Sequence, residues 1–301
     1  MKKILIADKI DLTHVNKLQK KYFTIKTEFG ISNEKILKSY NDFEILIIRS
    51  IRNLDANFIN KCNFKIIATV SRGTDHINVN SAKKKNIKII HCKNGNADSV
   101  AEFTIGSILS LSKNILLSDS LVRKNKFTDY NFKRTELKNK TLGIIGFGEI
   151  GSRVGKVCKA LGMKIIVYDK DSKVKLKNKN FKFVTLNFLL RNSDFVTIHI
   201  PLEKNINFLN EEKISILKSG ISLINTSRGE VINETALIKK LKTGEIHSAA
   251  LDVFKNEPKI NQEFLKLKNV ILTNHIAGKT PEAAQKMSFE IINQLQKLRN
   301  H

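Results

Sequence analysis

The stretch TLGIIGFGEIGSRVG, residues 141–155, places three glycines in G-x-G-x-x-G spacing directly after an apolar run. The apolar run predicts a buried β-strand, and the residues that follow predict a helix. In this context Gly146 permits a tight turn, Gly148 lets the backbone approach a pyrophosphate, and Gly151 lets the helix pack closely on the strand. The free N–H groups and the positive dipole end of the helix then face the pyrophosphate. The stretch therefore predicts a strand–turn–helix unit that binds a dinucleotide.

A second apolar run, KIIVYD (164–169), ends on Asp169 at about the twenty-residue spacing expected for a ribose-binding acid. The Asp169 carboxylate can accept hydrogen bonds from the adenosine ribose hydroxyls and would repel a 2′-phosphate. This favours NAD over NADP as the cofactor, although the positive charges of Lys170 and Lys173 act against that preference.

Short apolar runs alternate with helical patterns along the whole chain, and about ten of them are candidate strands. Continuous Val/Ile/Leu runs of this kind predict parallel strands that are buried on both faces. We predict an α/β fold with two doubly wound, Rossmann-like or flavodoxin-like domains and a cleft between them. The long amphipathic stretch near residue 98 marks the boundary, so that residues 1–95 with 280–301 form one domain and residues 96–279 the other. The candidate strands are 3–7, 45–49, 65–70, 87–91, 141–146, 164–169, 195–200, 221–226, 248–253 and 269–274.

The formal net charge of +25 is the strongest compositional feature of the 301 residues. The lysines are spread along the chain, and the densest runs, 81–86 and 173–182, lack the interleaved aromatic residues of a single-strand binder. We therefore expect a solvated, lysine-rich surface and no nucleic-acid partner.

The N-terminal run MKKILIAD is interrupted by Asp8 and predicts a first buried strand rather than a signal peptide. No apolar run is long enough to span a membrane, so we expect a cytoplasmic protein without a membrane partner. The cysteines are few and far apart, which predicts neither a disulfide framework nor a metal site. They are Cys62, Cys92 and Cys158.

Three chemically suited residues each follow a predicted strand: Arg228 in NTSRG, Glu257 in LDVFKNEP and His275 in NHIAG. Parallel sheets bind ligands at the carboxyl ends of their strands. An arginine can hold a carboxylate and the adjacent oxygen through two hydrogen bonds. A glutamate that accepts one ring N–H of histidine favours the imidazolium, and the histidine can then exchange a proton with the reacting oxygen. Taken singly, each residue also fits an ordinary surface, loop or packing role; together they predict a hydride-transfer site.

With these motifs in order, the chain resembles the D-isomer-specific 2-hydroxyacid dehydrogenases over nearly its whole length. The resemblance implies catalytic roles for Arg228, Glu257 and His275, a homodimer built on the segment after residue 98, and a substrate domain (1–95 with 280–301) beside an NAD domain (96–279). The motifs that carry it are NGNADSVAEFTIG (94–106), ELKNKTLGIIGFGEIG (136–151), HIPL (199–202), LINTSRGEVINETAL (223–237), AALDVFKNEP (249–258) and NVILTNHIAG (269–278). Beside the three glycines, the implied cofactor contacts are Glu149, Ile150, Asp169, Ile200, Thr226, Asp252 and Gly278.

The resemblance also implies substrate contacts. SRGTDHIN (71–78) corresponds to the turn whose backbone amides hold the substrate carboxylate, which implies a nest formed by Ser71, Arg72 and Gly73. The Arg72 side chain either adds a charge contact or faces solvent. Arg49, in LIIRSIRNLDANFI (46–59), matches an arginine used by the family members that act on D-3-phosphoglycerate. Lys133 and Arg134, in FTDYNFKR (127–134), are further candidate phosphate partners.

We therefore expect an NAD-dependent enzyme that acts on a small 2-hydroxy or 2-oxo acid, with D-3-phosphoglycerate and a role in serine biosynthesis favoured. Reduction of glyoxylate or hydroxypyruvate is the main alternative within the family. A nicotinamide-sensing corepressor is the alternative from another class, because it could keep all three catalytic residues. Glu257 argues against the formate dehydrogenase branch, which carries a glutamine at this position.

Overall fold

The computed structural model describes residues 1–18, 21–127 and 133–300, with residues 299 and 300 described by their backbone alone. The chain divides into two compact units, Met1–Asn96 with Lys279–His301, and Ala97–Gly278. The sequence prediction places both boundaries one residue away, after residues 95 and 279. The strands are β1 (Lys2–Ile6), β2 (Phe23–Thr27), β3 (Ile45–Ile48), β4 (Ile66–Thr69), β5 (Lys88–His91), β6 (Thr141–Ile145), β7 (Lys164–Tyr168), β8 (Lys182–Phe183), β9 (Phe195–Ile198), β10 (Ile221–Asn225), β11 (Ile246–Leu251) and β12 (Val270–Leu272). The helices are α1 (Asn33–Ser39), α2 (Ala56–Lys61), α3 (Val79–Lys84), α4 (Ala97–Lys113), α5 (Ile115–Val122), α6 (Glu149–Ala160), α7 (Ser172–Lys177), α8 (Leu186–Asn192), α9 (Glu211–Ser215), α10 (Glu234–Thr243) and α11 (Pro281–Gln296).

The first unit is built on a five-stranded parallel sheet in the order β2-β1-β3-β4-β5. Alternate residues of its strands bury opposite faces, as the period of a β-strand requires. Ile4 and Ile47 lie on the face that packs against Ile291 of the C-terminal helix α11. Residues of the other face, among them Leu5, pack in a separate cluster with residues of α1, α2 and α3. Both faces of the sheet are therefore covered.

The second unit contains a seven-stranded parallel sheet in the order β12-β11-β10-β9-β6-β7-β8. The chain order reverses between β6 and β9, which are neighbours in the sheet. Helices α4 and α6 cover one face, and α8, α9 and α10 cover the other. This is the doubly wound arrangement, in which ligands bind at the carboxyl ends of the strands beside the reversal point. The two parallel sheets confirm the predicted α/β fold class.

Two strands were not predicted from the sequence. β2 (FTIKT) and β8 (KF) lie at the edges of their sheets and contain exposed lysines. Within the described part of the chain, no single helix is long and apolar enough to cross a membrane. Helices α4 and α5 together have the length and the apolar composition of a membrane span, but the chain bends by 60° between them.

Candidate active site

The glycine turn between β6 and α6 has the geometry that a dinucleotide needs. Gly146 has φ +89°, a conformation that L side chains rarely adopt, and a Cβ there would lie 2.7 Å from the carbonyl oxygen of His199. A Cβ on Gly151 would lie 2.2 Å from the carbonyl oxygen of Gly146, so the helix can approach the strand only without a side chain at this position. A Cβ on Gly148 would meet nothing within 4 Å, which leaves open space for a ligand against the backbone. The turn therefore fits a pyrophosphate at the N-terminus of α6.

Asp169, directly after β7, is tied to the same turn. Its Oδ2 accepts a hydrogen bond from the Phe147 backbone N–H at 2.7 Å, and its Oδ1 accepts one from Asp171 N–H at 2.9 Å. Each carboxylate oxygen can accept more than one hydrogen bond, so the group can still receive ribose hydroxyls. The sequence predicts the ribose contact but not the bond to the glycine turn.

The other predicted cofactor residues are brought to the carboxyl-terminal edge of the sheet by the fold. Glu149 and Ile150 form the first turn of α6, where the helix N–H groups lack partners within the helix. Ile200 follows β9, and Thr226 follows β10, where its Oγ1 lies 3.2 Å from Oγ1 of Thr104. Asp252 follows β11, and Gly278 ends the segment after β12.

The loop that carries Arg228 is held by a buried asparagine that the sequence analysis missed. Asn225, the last residue of β10, is 1% exposed. Its Oδ1 accepts hydrogen bonds from the N–H and the hydroxyl of Ser227, and its Nδ2 donates to the Arg228 carbonyl at 2.9 Å. The backbone of Arg228 is therefore fixed from both sides. An asparagine at the end of the largely apolar run ISLIN is the sequence signal that indicates this role.

Gly229 joins the Arg228 loop to the loop after β11. A Cβ on Gly229 would lie 2.0 Å from the carbonyl carbon of Phe254 and 2.3 Å from the backbone nitrogen of Lys255. Real Cβ atoms do not approach other atoms this closely, so only glycine lets the two backbones meet. The close approach brings the Arg228 loop against the segment that leads to Glu257.

Glu257 and His275 form a hydrogen-bonded pair. Nδ1 of His275 lies 2.8 Å from Oε2 of Glu257, and Oε1 of Glu257 accepts the Phe254 N–H at 2.9 Å. His275 has φ +56°, a left-handed conformation that is uncommon for a residue with a side chain. Both side chains are partly exposed, so the pair is accessible to a ligand.

The carboxyl group of Glu257 is stabilised in its ionised form. Burial is the largest single influence and acts to raise its pKa, but the hydrogen bonds from His275 and from the Phe254 N–H outweigh it. The positive charges of His275 and Arg228 act in the same direction as those hydrogen bonds. The pKa of Glu257 therefore lies below its ordinary value, and an ionised acceptor faces the histidine at neutral pH.

Asp252 holds the loop on which His275 lies. Its side chain is almost fully buried, and its Oδ1 accepts hydrogen bonds from the Thr273 hydroxyl at 2.7 Å and from the Ile276 N–H at 2.8 Å. Its Oδ2 accepts the Ala277 N–H at 2.9 Å. The carboxylate thus grips the loop on both sides of His275. The sequence analysis predicts only a cofactor contact for this residue.

The predicted substrate residues of the first unit lie after β3 and β4. The hydroxyl of Ser71 donates to the carbonyl oxygen of Gly73 at 2.8 Å and lies 2.8 Å from the hydroxyl of Thr69, which closes residues 71–73 into a turn. The carbonyl oxygen of Arg72 lies 3.0 Å from Nδ1 of His91. Of the candidate phosphate segment 127–134, residues 128–132 lie outside the described residues; Lys133 and Arg134 are exposed.

Arg49 and Arg52 lie on one loop but are used differently. Nε and Nη2 of Arg52 bond the Asp8 carboxylate at 2.7–3.2 Å, and both side chains are almost fully buried, 9% and 4% exposed. Asp8 also accepts the Arg49 backbone N–H at 2.9 Å. Among the residues that the structure describes, the Arg49 guanidinium makes one hydrogen bond, from Nη1 to the Lys9 carbonyl oxygen at 3.3 Å. Arg52 therefore supports the loop, whereas Arg49 has N–H donors left for an anion.

Comparison with known proteins agrees with these observations. A sequence model of the D-isomer specific 2-hydroxyacid dehydrogenase NAD-binding domain matches residues 105–277. The chain belongs to this family. Membership confirms the predicted family, the NAD cofactor and the oxidoreductase class, whereas the roles of individual side chains stay predictions.

Three relatives show the range of the family around this chain. The D-3-phosphoglycerate dehydrogenase of Archaeoglobus fulgidus is 34% identical over 285 residues, which cover 93% of this chain and 54% of that protein. The chain thus spans about half the length of that relative. The hydroxypyruvate reductase of Thermotoga maritima is 34% identical and is matched over 97% of both chains. The crystal structure of D-lactate dehydrogenase from Aquifex aeolicus, complexed with NAD and lactic acid, has a TM-score of 0.84 at 30% identity and is matched over 98% of this chain and 95% of that one.

Proposed function

We propose that the chain is an NAD-dependent D-2-hydroxyacid dehydrogenase that oxidises D-3-phosphoglycerate to 3-phosphohydroxypyruvate, with Arg228, Glu257 and His275 as its catalytic residues. The observation that carries this proposal is the 2.8 Å hydrogen bond between His275 and Glu257. The pair follows the neighbouring strands β11 and β12, at the same edge of the sheet as the glycine turn. An acid–base pair and a dinucleotide turn at one sheet edge are the parts that alcohol oxidation requires.

The residues of the glycine turn and Asp169 would hold the cofactor, with the pyrophosphate against Gly148 and the adenosine ribose at Asp169. When bound, the nicotinamide ring supplies the acceptor for the hydride that leaves the carbon of the substrate hydroxyl group.

The chain's own residues perform the remaining chemistry. The guanidinium of Arg228 holds the substrate carboxylate and the neighbouring oxygen. Nε2 of His275 accepts the hydroxyl proton as the C–H bond breaks, and in the reverse direction the same nitrogen returns that proton to the carbonyl oxygen. The ionised carboxylate of Glu257 orients the ring through Nδ1 and stabilises the imidazolium that forms.

D-3-phosphoglycerate is the proposed substrate because its second anionic group suits a basic surface. The formal net charge of the chain is +25, and most N–H donors of Arg49 are left for an anion, whereas most of those of Arg52 bond Asp8, Ala7 and Asn33. Arg49, Ser71, Arg72 and Gly73 are the proposed substrate contacts, with the turn of residues 71–73 at the carboxylate. The D-3-phosphoglycerate dehydrogenases of A. fulgidus and of Methanocaldococcus jannaschii, at 34% and 33% identity, support this choice and a role in serine biosynthesis.

Reduction of hydroxypyruvate or glyoxylate is the second candidate, favoured by the match to the T. maritima hydroxypyruvate reductase over 97% of both chains. Nicotinamide absorbance separates the two: 3-phosphoglycerate is offered with NAD, and 3-phosphohydroxypyruvate, hydroxypyruvate, glyoxylate and pyruvate with NADH. We expect turnover to be at least about tenfold faster with the phosphorylated pair and to be lost in His275→Ala. Faster turnover of the unphosphorylated acids would make the chain a general 2-oxoacid reductase.

A homodimer and a cytoplasmic location complete the proposal. Apolar side chains on α5 are about half exposed, namely Ile115, Leu116 and Val122, which supports a second copy of the chain at this helix. Light scattering would measure the mass, and a monomer at micromolar concentration would contradict the dimer.

A further inference from the structure

Glu149 places a negative charge at the N-terminus of α6, where the negatively charged pyrophosphate of the proposed cofactor would bind. It is the first residue of α6, and its exposed side chain lies beside the N–H groups that would receive the pyrophosphate. A carboxylate in the first turn favours the helix, because it faces the positive end of the helix dipole. The same carboxylate would repel a bound pyrophosphate. The turn therefore requires a way to offset the charge.

Arg153 supplies that charge, one helical turn further on. Its Nη1 donates to Oε2 of Glu149 at 2.6 Å and to the Glu149 carbonyl oxygen at 2.7 Å. Its Nε donates to Oδ1 of Asp98 on α4 at 2.7 Å. One guanidinium thus lies between two carboxylates, and the cluster of three side chains has a net charge of −1 rather than −2.

We propose that Arg153 is a positioning residue for the cofactor. It draws the Glu149 carboxylate along the helix and offsets its charge, so that the pyrophosphate can reach the first N–H groups of α6. Arg153 need not touch the cofactor to act in this way. The inference rests on the proposed place of the pyrophosphate at the glycine turn.

The effect has a size that binding experiments can measure. Released from Arg153, the Glu149 carboxylate can turn toward the pyrophosphate, and one negative charge at roughly 7 Å from two phosphate charges weakens binding about tenfold at low ionic strength, if the effective dielectric constant is near that of water. Salt screens such interactions over about 8 Å at physiological ionic strength, so the loss falls to roughly twofold at 0.5 M salt.

The test is the dissociation constant of NADH, measured by fluorescence at low and high salt, for wild type and a set of variants. Arg153→Gln should bind NADH about tenfold more weakly at low salt, and Arg153→Lys should restore most of the affinity. Glu149→Gln should bind NADH more tightly than wild type, because it removes the carboxylate that repels the pyrophosphate. In the Glu149→Gln background, Arg153→Gln should weaken NADH binding by about threefold or less, because only the direct attraction of Arg153, one helical turn further from the pyrophosphate, is lost.

Lys156→Gln is the matched control, since Lys156 is exposed on the same helix and loses the same charge. It should change NADH affinity by less than about twofold. Equal losses in Lys156→Gln and Arg153→Gln would overturn the proposal, because only the total charge would matter. So would a full loss from Arg153→Gln in the Glu149→Gln background, which would indicate a structural link between α4 and α6. If wild type does not bind NADH, the proposed cofactor turn itself is wrong, and the role of Arg153 falls with it.

Discussion

Replacing Gly229 by alanine should separate the Arg228 loop from the loop that leads to Glu257. The new Cβ would lie 2.0 Å from the carbonyl carbon of Phe254, whereas ordinary contacts begin at 3.4 Å. The two backbones must therefore move apart by about 1.4 Å, and neither offers a flexible side chain that could yield instead. A displacement of about 1 Å at a catalytic group costs roughly 100-fold in rate, and the crowding itself costs about 1–3 kcal/mol of folding free energy.

The assay is kcat on the best substrate of the panel, together with the dissociation constant of NADH and the melting temperature. We expect kcat to fall about 100-fold while NADH affinity changes by less than about threefold, because the glycine turn lies on a different loop. Gly106→Ala is the matched control: its Cβ would meet nothing within 4 Å, and alanine favours the helix α4 in which it lies. A Gly229→Ala enzyme with kcat within about threefold of wild type would refute the claim that this contact sets the geometry of the site.

Three further changes test the surroundings of the site. Asp252→Asn keeps the side-chain volume but removes one hydrogen-bond acceptor from the His275 loop, so kcat should fall about 10- to 100-fold. An unchanged kcat would show that the loop keeps its conformation without the Asp252 carboxylate. Arg52→Met leaves the Asp8 carboxylate buried without its ion-pair partner, so chemical denaturation should show a free energy of unfolding that is lower by about 3–5 kcal/mol. A decrease below about 1 kcal/mol would contradict the buried ion pair. Because the pKa of Glu257 is lowered in the folded chain from its ordinary 4.5, its ionisation stabilises the fold above that pH and the benefit disappears as the pH falls through the folded pKa. The free energies of unfolding of wild type and Glu257→Gln should therefore differ more at pH 7 than at pH 3, by less than about 1 kcal/mol for this partly exposed group. A larger difference at pH 3 would contradict the lowered pKa.

The sequence predicts the fold where strands are buried on both faces. Each of the ten candidate runs overlaps an observed strand, because continuous Val/Ile/Leu runs have few other uses in an α/β chain. β2 and β8 escape the same reasoning for a physical reason: an edge strand has a neighbour on one side only, so it can carry lysines that a central strand would have to bury.

The candidate site is predictable only as far as it follows strand ends. Arg228, Glu257 and His275 are visible in the sequence because each lies within four residues of the end of an apolar run. The residues that hold them are not visible in this way. Asp8 and Arg52 lie 44 positions apart, and no local pattern indicates that they meet. The sequence does not indicate the contact of Gly229 with Phe254 either, because no neighbouring residue shows that a distant backbone requires a glycine at this position.

The hydrogen bond from Phe147 N–H to Asp169 has a consequence for attempts to redesign the cofactor preference. Exchanging this aspartate for a small or basic residue is the obvious route to an enzyme that accepts a 2′-phosphate. The exchange would also release the backbone of the glycine turn, since Oδ2 is the acceptor for its Phe147 N–H. A redesigned chain would thus bind both NAD and NADP more weakly. An engineer should first provide that N–H with another acceptor and only then change the residue that reads the ribose.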